Sequence, residues 1–113
     1  MIEATVISYL MDKTSAVKNV FAERPKNPPA KYIIVEKTGS DREDRVDRAT
    51  IAIQSIAGTM FDAAALNEEV KAEMDEIVES DLIGACRLNS DYNFTDQTTK
   101  EYRYQAVFDI THY

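Results

Sequence analysis

One stretch, Asp47–Val78, most constrains what this chain can fold into, because it has the pattern of a strand, a tight turn and a helix in succession. In Arg48–Ile56, small and β-branched residues alternate with polar ones, which is typical of a half-buried strand. Gly58 then breaks the run, and Thr59 is a suitable helix N-cap with Asp62 three residues later. The sequence therefore predicts a strand that turns sharply into a helix.

That helix, predicted over Ala57–Val78, has one apolar face. Its apolar residues recur three or four positions apart, whereas glutamates and Lys71 occupy the other side. The face consists of Ala63, Leu66, Val70, Met74 and Ile77. A chain of 113 residues favours one domain, here 1–113. We therefore expect the remaining segments to form a sheet around the strand Arg48–Ile56, with one face of this sheet packed against the helix.

The other apolar patterns predict one more helix and four more strands. In chain order they are a helix over Met1–Lys13, a short strand over Val17–Ala22, a central strand over Lys31–Lys37, a strand over Ile83–Asn89 and a long strand over Glu101–Tyr113. All three prolines lie in Glu23–Ala30, which predicts a stiff loop that protects a sheet edge. The fold class predicted is α+β, with a small mixed or mainly antiparallel sheet of about four to five strands and two helices packed on it.

Thr38–Val46 is a polar, highly charged segment between two strands that should pair as a hairpin. It is longer than a hairpin turn requires, so we expect it to project from the body as a loop. It is either a solvated mobile loop or an arm that contacts a neighbouring subunit or lines a channel. The candidate subunit-interface or lumen residues are Asp41, Arg42, Glu43, Asp44 and Arg45.

Ser90–Lys100 is predicted to be a second polar loop, and it holds two aromatic side chains. Tyr92 and Phe94 either attach this loop to the body or serve as interface anchors. Together with Asp96 they form the candidate second interface.

Composition excludes several classes of function. The formal net charge of −7 argues against a free DNA-binding protein and against binding to anionic membranes, since both need a basic surface. Cys86 is the only cysteine, so no intrachain disulfide or cysteine-rich metal site can form, and we expect it to be a buried small hydrophobic residue. No 18-residue apolar run exists, and Met1–Lys13 lacks the features of a secretion signal, so we expect neither a membrane span nor export.

No motif for catalysis or for metal or cofactor binding is present. The acidic cluster in Asp41–Asp47 has interleaved arginines and lacks the glycine that an EF-hand loop needs at its sixth position. His112 is the only histidine and lies on the apolar side of a strand pattern near the C-terminus, which argues against a catalytic triad. We therefore expect a binding protein, with no catalytic residue, metal or cofactor.

The order of these elements resembles that of the tail terminator proteins of long-tailed bacteriophages, which are also called tail completion or tail-to-head joining proteins. The resemblance extends over nearly the whole chain. The residues that carry it are Pro25, the run Tyr32–Gly39, the run Asp47–Gln54, Ala63–Leu66 and Arg103-Tyr104. In many members a tryptophan follows the strand's glutamine, whereas Ser55 and Ile56 occupy those positions here.

The resemblance implies a homo-oligomer, with a hexameric ring capping the head-proximal end of the tail tube. Such a ring stops tube polymerisation and offers the docking surface for the neck of the head. Its implied partners are the tail tube protein and a head-neck connector or stopper protein. DNA passes through the lumen without specific binding, there is no membrane partner, and the location is the tail-neck junction of the virion after assembly in the host cytoplasm.

Two alternatives remain open from the sequence. The chain could be another neck protein, such as a head-completion connector, or a tail tube protein, since these also have small α+β or β-rich folds that assemble into rings. A tube protein polymerises alone, whereas a terminator caps tubes. The second alternative is a small ligand-binding domain or enzyme, for which a ligand should raise the melting temperature.

Overall fold

The computed structural model describes residues 1–16, 18–99 and 101–113. Its two helices are α1 (Ile2–Met11) and α2 (Met60–Glu76), and α2 continues into a 3₁₀ turn at Ile77–Glu79. Its five strands are β1 (Val20–Phe21), β2 (Tyr32–Glu43), β3 (Val46–Ala57), β4 (Ile83–Asn93) and β5 (Tyr102–His112). The strands form one mixed sheet in the order β1-β2-β3-β5-β4, so the predicted α+β class is confirmed.

The sheet contains one parallel pair of strands and three antiparallel pairs among the described residues. β1 pairs parallel to β2, and every other neighbouring pair is antiparallel. The predicted short strand over Val17–Ala22 is present but shorter, at Val20–Phe21, and Val17 lies outside the described residues. Because β1 pairs only with Ile33 and Ile34, the outer edge of β2 beyond them has no strand beside it among the described residues.

The N-cap of helix α2 is Thr59, the residue that the sequence offers for this role. The Thr59 hydroxyl accepts a hydrogen bond from the backbone N–H of Asp62 at 3.1 Å, which satisfies one of the free amides of the first turn. The helix is shorter than the predicted Ala57–Val78, because Ala57 still belongs to β3 and the last turn tightens into the 3₁₀ geometry. All five residues of the predicted apolar face are buried.

Both helices cover the same face of the sheet, where the main core lies. Alternate residues of β3 and β5 reach this core, among them Ile51, Ile53, Phe108 and Ile110. From α1, which corresponds to the helix predicted over Met1–Lys13, Ile2, Val6 and Leu10 are buried in it. In β5, which corresponds to the predicted long strand, Ala106, Phe108 and Ile110 are buried and the residues between them are partly exposed.

A smaller apolar cluster lies on the opposite face of the sheet. It consists of Tyr32, Ile34 and Ile56, with Phe21 packed against it, so the run at the start of β2 is buried on both faces. The hydroxyl of Tyr32 donates to Glu101 at 2.8 Å, and Arg24 of the proline-rich loop forms an ion pair with the same carboxylate at 3.3 Å. These contacts attach the loop to the sheet.

Cys86 is half-buried against the main core. Burial, followed by the charges of Asp75 and Asp109, raises the pKa of its thiol to about 12. Since the thiolate is the reactive species, iodoacetamide should alkylate the folded protein at pH 8 at least about a hundredfold more slowly than the urea-unfolded chain. Mass spectrometry of timed aliquots measures both rates, and equal rates would contradict this burial.

Candidate assembly interfaces

The charged segment Thr38–Val46 is not a loop, which corrects the prediction. Its residues extend β2 and β3, which pair without interruption from the bulge near Gly39 to the end of the hairpin. Only Asp44 and Arg45 form the turn, and both have positive φ angles, 51° and 68°. This is the geometry of a two-residue type I′ hairpin, whose twist matches that of the flanking strands. We call the segment Gly39–Arg48 the charged hairpin.

Arginine is an unusual residue at the second position of such a turn, because a side chain disfavours positive φ. Replacing Arg45 by glycine should therefore raise the free energy of unfolding by about 1 kcal/mol, as measured by urea denaturation. Arg42→Gly is the matched control, because Arg42 lies in the extended strand β2, and it should lower stability. Equal effects of the two changes would contradict the turn geometry.

Five charged side chains of the hairpin form ion pairs within it. Arg48 contacts Asp41 at 2.7 Å and Glu43 at 3.1 Å, and Arg42 contacts Asp47 at 3.3 Å. These side chains are between 38% and 69% exposed, so water screens each pair and each contributes little to stability. Arg42, one of the candidate interface residues, therefore already has an ion-pair partner in its own chain.

The second candidate surface is ordered more than its sequence suggests. The predicted loop Ser90–Lys100 is wrong at its start, because β4 continues to Asn93; Lys100 lies outside the described residues. Tyr92 and Phe94 pack edge to face with ring centroids 5.9 Å apart, and Arg103 lies over the Phe94 ring at 4.9 Å. Each ring is nevertheless about two-fifths exposed, at 42% and 41%.

Asp96 stabilises the turn that follows it in the chain. Its carboxylate accepts hydrogen bonds from the backbone amides of Thr98 and Thr99, and these bonds lower the pKa of Asp96. Asp96 also forms an isolated bridge with Glu101. This carboxylate therefore fixes a turn, while the adjacent aromatic pair remains the part available for contacts.

The structure does not bring the two candidate surfaces together. In the register of the sheet, Asp41 lies level with Arg48, whereas Tyr92 lies level with Gln54, six residues further along β3. Six residues correspond to about 20 Å along the strands. The two surfaces therefore lie at opposite ends of the sheet and could contact two different neighbours.

Sequence reasoning missed three exposed features. Arg87 on β4 is 84% exposed in its side chain, with Asp109 3.9 Å away, and Leu88 beside it is 39% exposed. Phe61, at the start of α2, is 82% exposed. Alternation within β4 places Arg87 on the face away from the helices, but the bulges of this strand hid that pattern in the sequence. Phe61 falls outside the helical spacing of the predicted apolar face, and this spacing could have identified it as exposed.

The described residues were also compared with the requirements of a metal site, a small-molecule site and a membrane span. Among these residues, no three His, Cys, Asp or Glu side chains are grouped so that they could hold a metal ion. The cleft lined by Asp41, Arg48, Arg87 and Asp109 is open to solvent, which suits a contact surface better than a small-molecule site. No helix among the described residues combines the length and the hydropathy that crossing a membrane requires.

Comparison with known proteins supports the fold. No protein-family model matches this chain, and no curated protein matches its sequence. Among solved structures, the chain is similar to one from "Virion of native gene transfer agent (GTA) particle", with a TM-score of 0.59 and 16% sequence identity. The similarity covers 98% of this chain and 93% of that chain. At this identity it shows a shared fold, over nearly the full length of both chains.

Proposed function

We propose that this chain is a structural protein of a phage-like particle and that it acts as a tail terminator. In this role, 1–113 forms one terminator-like domain, and a ring of copies, most simply six, caps the head-proximal end of the tail tube. The observation that carries the proposal is the shared fold with a chain of a virion particle, which extends over nearly all of both chains. The terminator motifs of the sequence favour this role within such a particle.

The two separated surfaces support assembly with more than one neighbour. A closed ring needs a heterologous interface, so each copy must present two different patches to its neighbours. The charged hairpin supplies one, through the exposed residues Asp41–Arg45. The aromatic pair Tyr92 and Phe94, next to Asp96, supplies an apolar surface at the other end, suited to the tail tube protein or to the neck connector.

The acidity of the chain agrees with a channel for DNA. A net charge of −7 lets phosphates pass without being held, whereas a basic lumen would retain them. Asp44 and Glu43 at the hairpin end are the side chains we place nearest the lumen or the neighbouring subunit. The protein then works by binding alone, without turnover, at the tail-neck junction of the virion.

The test is tube capping with purified components. Tail tube protein from the same particle is polymerised with and without this chain, and tube lengths are measured by negative-stain electron microscopy. A terminator should shorten the tubes and appear as an extra ring at one end of each. If this chain formed long tubes by itself, the tube-protein alternative would replace the proposal. If it left tube length unchanged and bound no end, the terminator role would be wrong.

A further inference from the structure

The sheet has two free edges, one on each side. β4 is the last strand in the order, so its outer edge has no strand partner among the described residues. On the other side, β1 pairs with β2 only at Ile33 and Ile34, so within the part of the chain that the structure describes no strand lies beside the outer edge of Lys37–Glu43. Free edges are templates for pairing with another chain, and proteins usually shield them. β4 is 11 residues long and contains no proline.

We propose that the β4 edge of one copy pairs with the Lys37–Glu43 edge of the next, so that the sheets of neighbouring copies are continuous. This inference rests on the proposed ring and specifies how its subunits join. Strand direction permits it, because β4 runs opposite to β2 within each copy. Neighbours in the same orientation would therefore form an antiparallel pair, with backbone hydrogen bonds along both strands.

The register of the sheet identifies the residues that would meet. Across one copy, Arg87 lies level with Asp109, Thr50 and Gly39. If the neighbouring copy is not shifted along the strand direction, its Gly39 lies directly opposite Arg87. Its Asp41 then lies diagonally opposite, within reach of the long Arg87 side chain.

Charge is complementary at this junction. Arg87 lies on the sheet face away from the helices, since the adjacent Leu88 pairs with the core residue Phe108. Asp41 and Glu43 lie on the same face, where they share Arg48. The side chains of Asp41 and Glu43 are 61% and 68% exposed, and Arg48 is their shared basic partner. In the proposed pairing, these two acids would also contact the exposed Arg87 guanidinium of the adjacent copy.

The opposite face of the junction carries the partly exposed side chain of Leu88. Leu88 lies level with Lys37 through Phe108 and Ile51, so the neighbour's Lys37 would lie beside the exposed part of Leu88. The methylene groups of a lysine cover apolar surface while its charge stays in water. The pairing therefore removes an exposed leucine from solvent and joins opposite charges at once.

Engineered disulfides test the pairing. Both test variants are made in a Cys86→Ser background. One carries Gly39→Cys with Arg87→Cys. The second carries Asp41→Cys with Arg87→Cys, which tests a register shifted by two residues, because such a shift keeps every side chain on the same face of the sheet. Within one copy these sites are three strand spacings apart, about 14 Å, too far for a disulfide. A Cβ at Gly39 meets no atom within 4 Å and Arg87 is exposed, so both variants should fold.

The matched control is Gly39→Cys with Glu76→Cys in the same background, since Glu76 is exposed and belongs to helix α2 rather than to strand β4. The proteins are oxidised together with tail tubes, and the products are separated on non-reducing gels. We expect a ladder that ends at the ring size for at least one test variant, disappears with reductant and is absent from the control.

Each outcome has a distinct meaning, because capping is scored by electron microscopy in the same samples. Capped tubes without a ladder in either test variant would overturn the edge pairing and leave the terminator role standing. A ladder without caps would support the edge pairing and overturn the terminator role. Neither ladder nor caps would overturn both.

Discussion

Replacing Phe108 by alanine should remove about 3–5 kcal/mol from the free energy of unfolding. Phe108 is 1% exposed and lies in the middle of β5, within the core beneath the helices. A domain of this size has about 5–15 kcal/mol to lose, so the variant should unfold at a melting temperature lower by about 15 °C or more. Urea denaturation followed by circular dichroism measures the change.

Leu88→Ala is the matched control, because Leu88 pairs with Phe108 in the neighbouring strand but is 39% exposed. Truncating it leaves little cavity, so the loss should stay near 1 kcal/mol or below. If the two variants lost equal stability, the placement of the core beneath the helices would be wrong.

Reversing the acids of the charged hairpin should abolish assembly while leaving the subunit folded. In the variant Asp41→Lys with Glu43→Lys, basic side chains would face the exposed Arg87 of the next copy. Like charges across an interface cost several kcal/mol, so the concentration needed to cap tubes should rise at least about 100-fold. Because both acids are largely exposed, the free energy of unfolding should change by at most about 1 kcal/mol.

The control variant, Asp75→Lys with Glu76→Lys, makes the same change in net charge on the exposed face of α2. It should cap tubes at the concentration that the unmodified protein requires. Equal loss of capping in both variants would show that net charge, rather than the hairpin, controls assembly. Unchanged capping in the hairpin variant would remove Asp41 and Glu43 from the interface.

The sequence predicted the elements whose signals are local. The alternation of Ile51 and Ile53, the helical spacing of Leu66, Val70 and Met74, and the cap at Thr59 each follow from a few neighbouring residues, and the structure confirms them. The order of the strands depends on pairing between distant segments. It therefore came only from the structure.

The charged hairpin shows why the candidate surfaces were harder to predict. Asp, Glu and Arg are uncommon in strands, so Asp41–Glu43 resembled a loop when read alone. They are extended because Asp47 and Arg48 pair with them across a two-residue turn, which is a non-local cause. β4 was predicted too short for a similar reason, since Ser90–Asn93 become strand by pairing with β5.

The most direct test of the terminator role is negative-stain electron microscopy of a lysate in which this gene carries an early stop codon. The account predicts overlong tails lying free beside filled heads, because nothing then ends tube growth or joins the tube to the neck. Complementation with the unmodified gene should restore joined particles of normal tail length. Heads that leak DNA or lack a neck, beside tails of normal length, would contradict the account and assign the protein to the head connector instead.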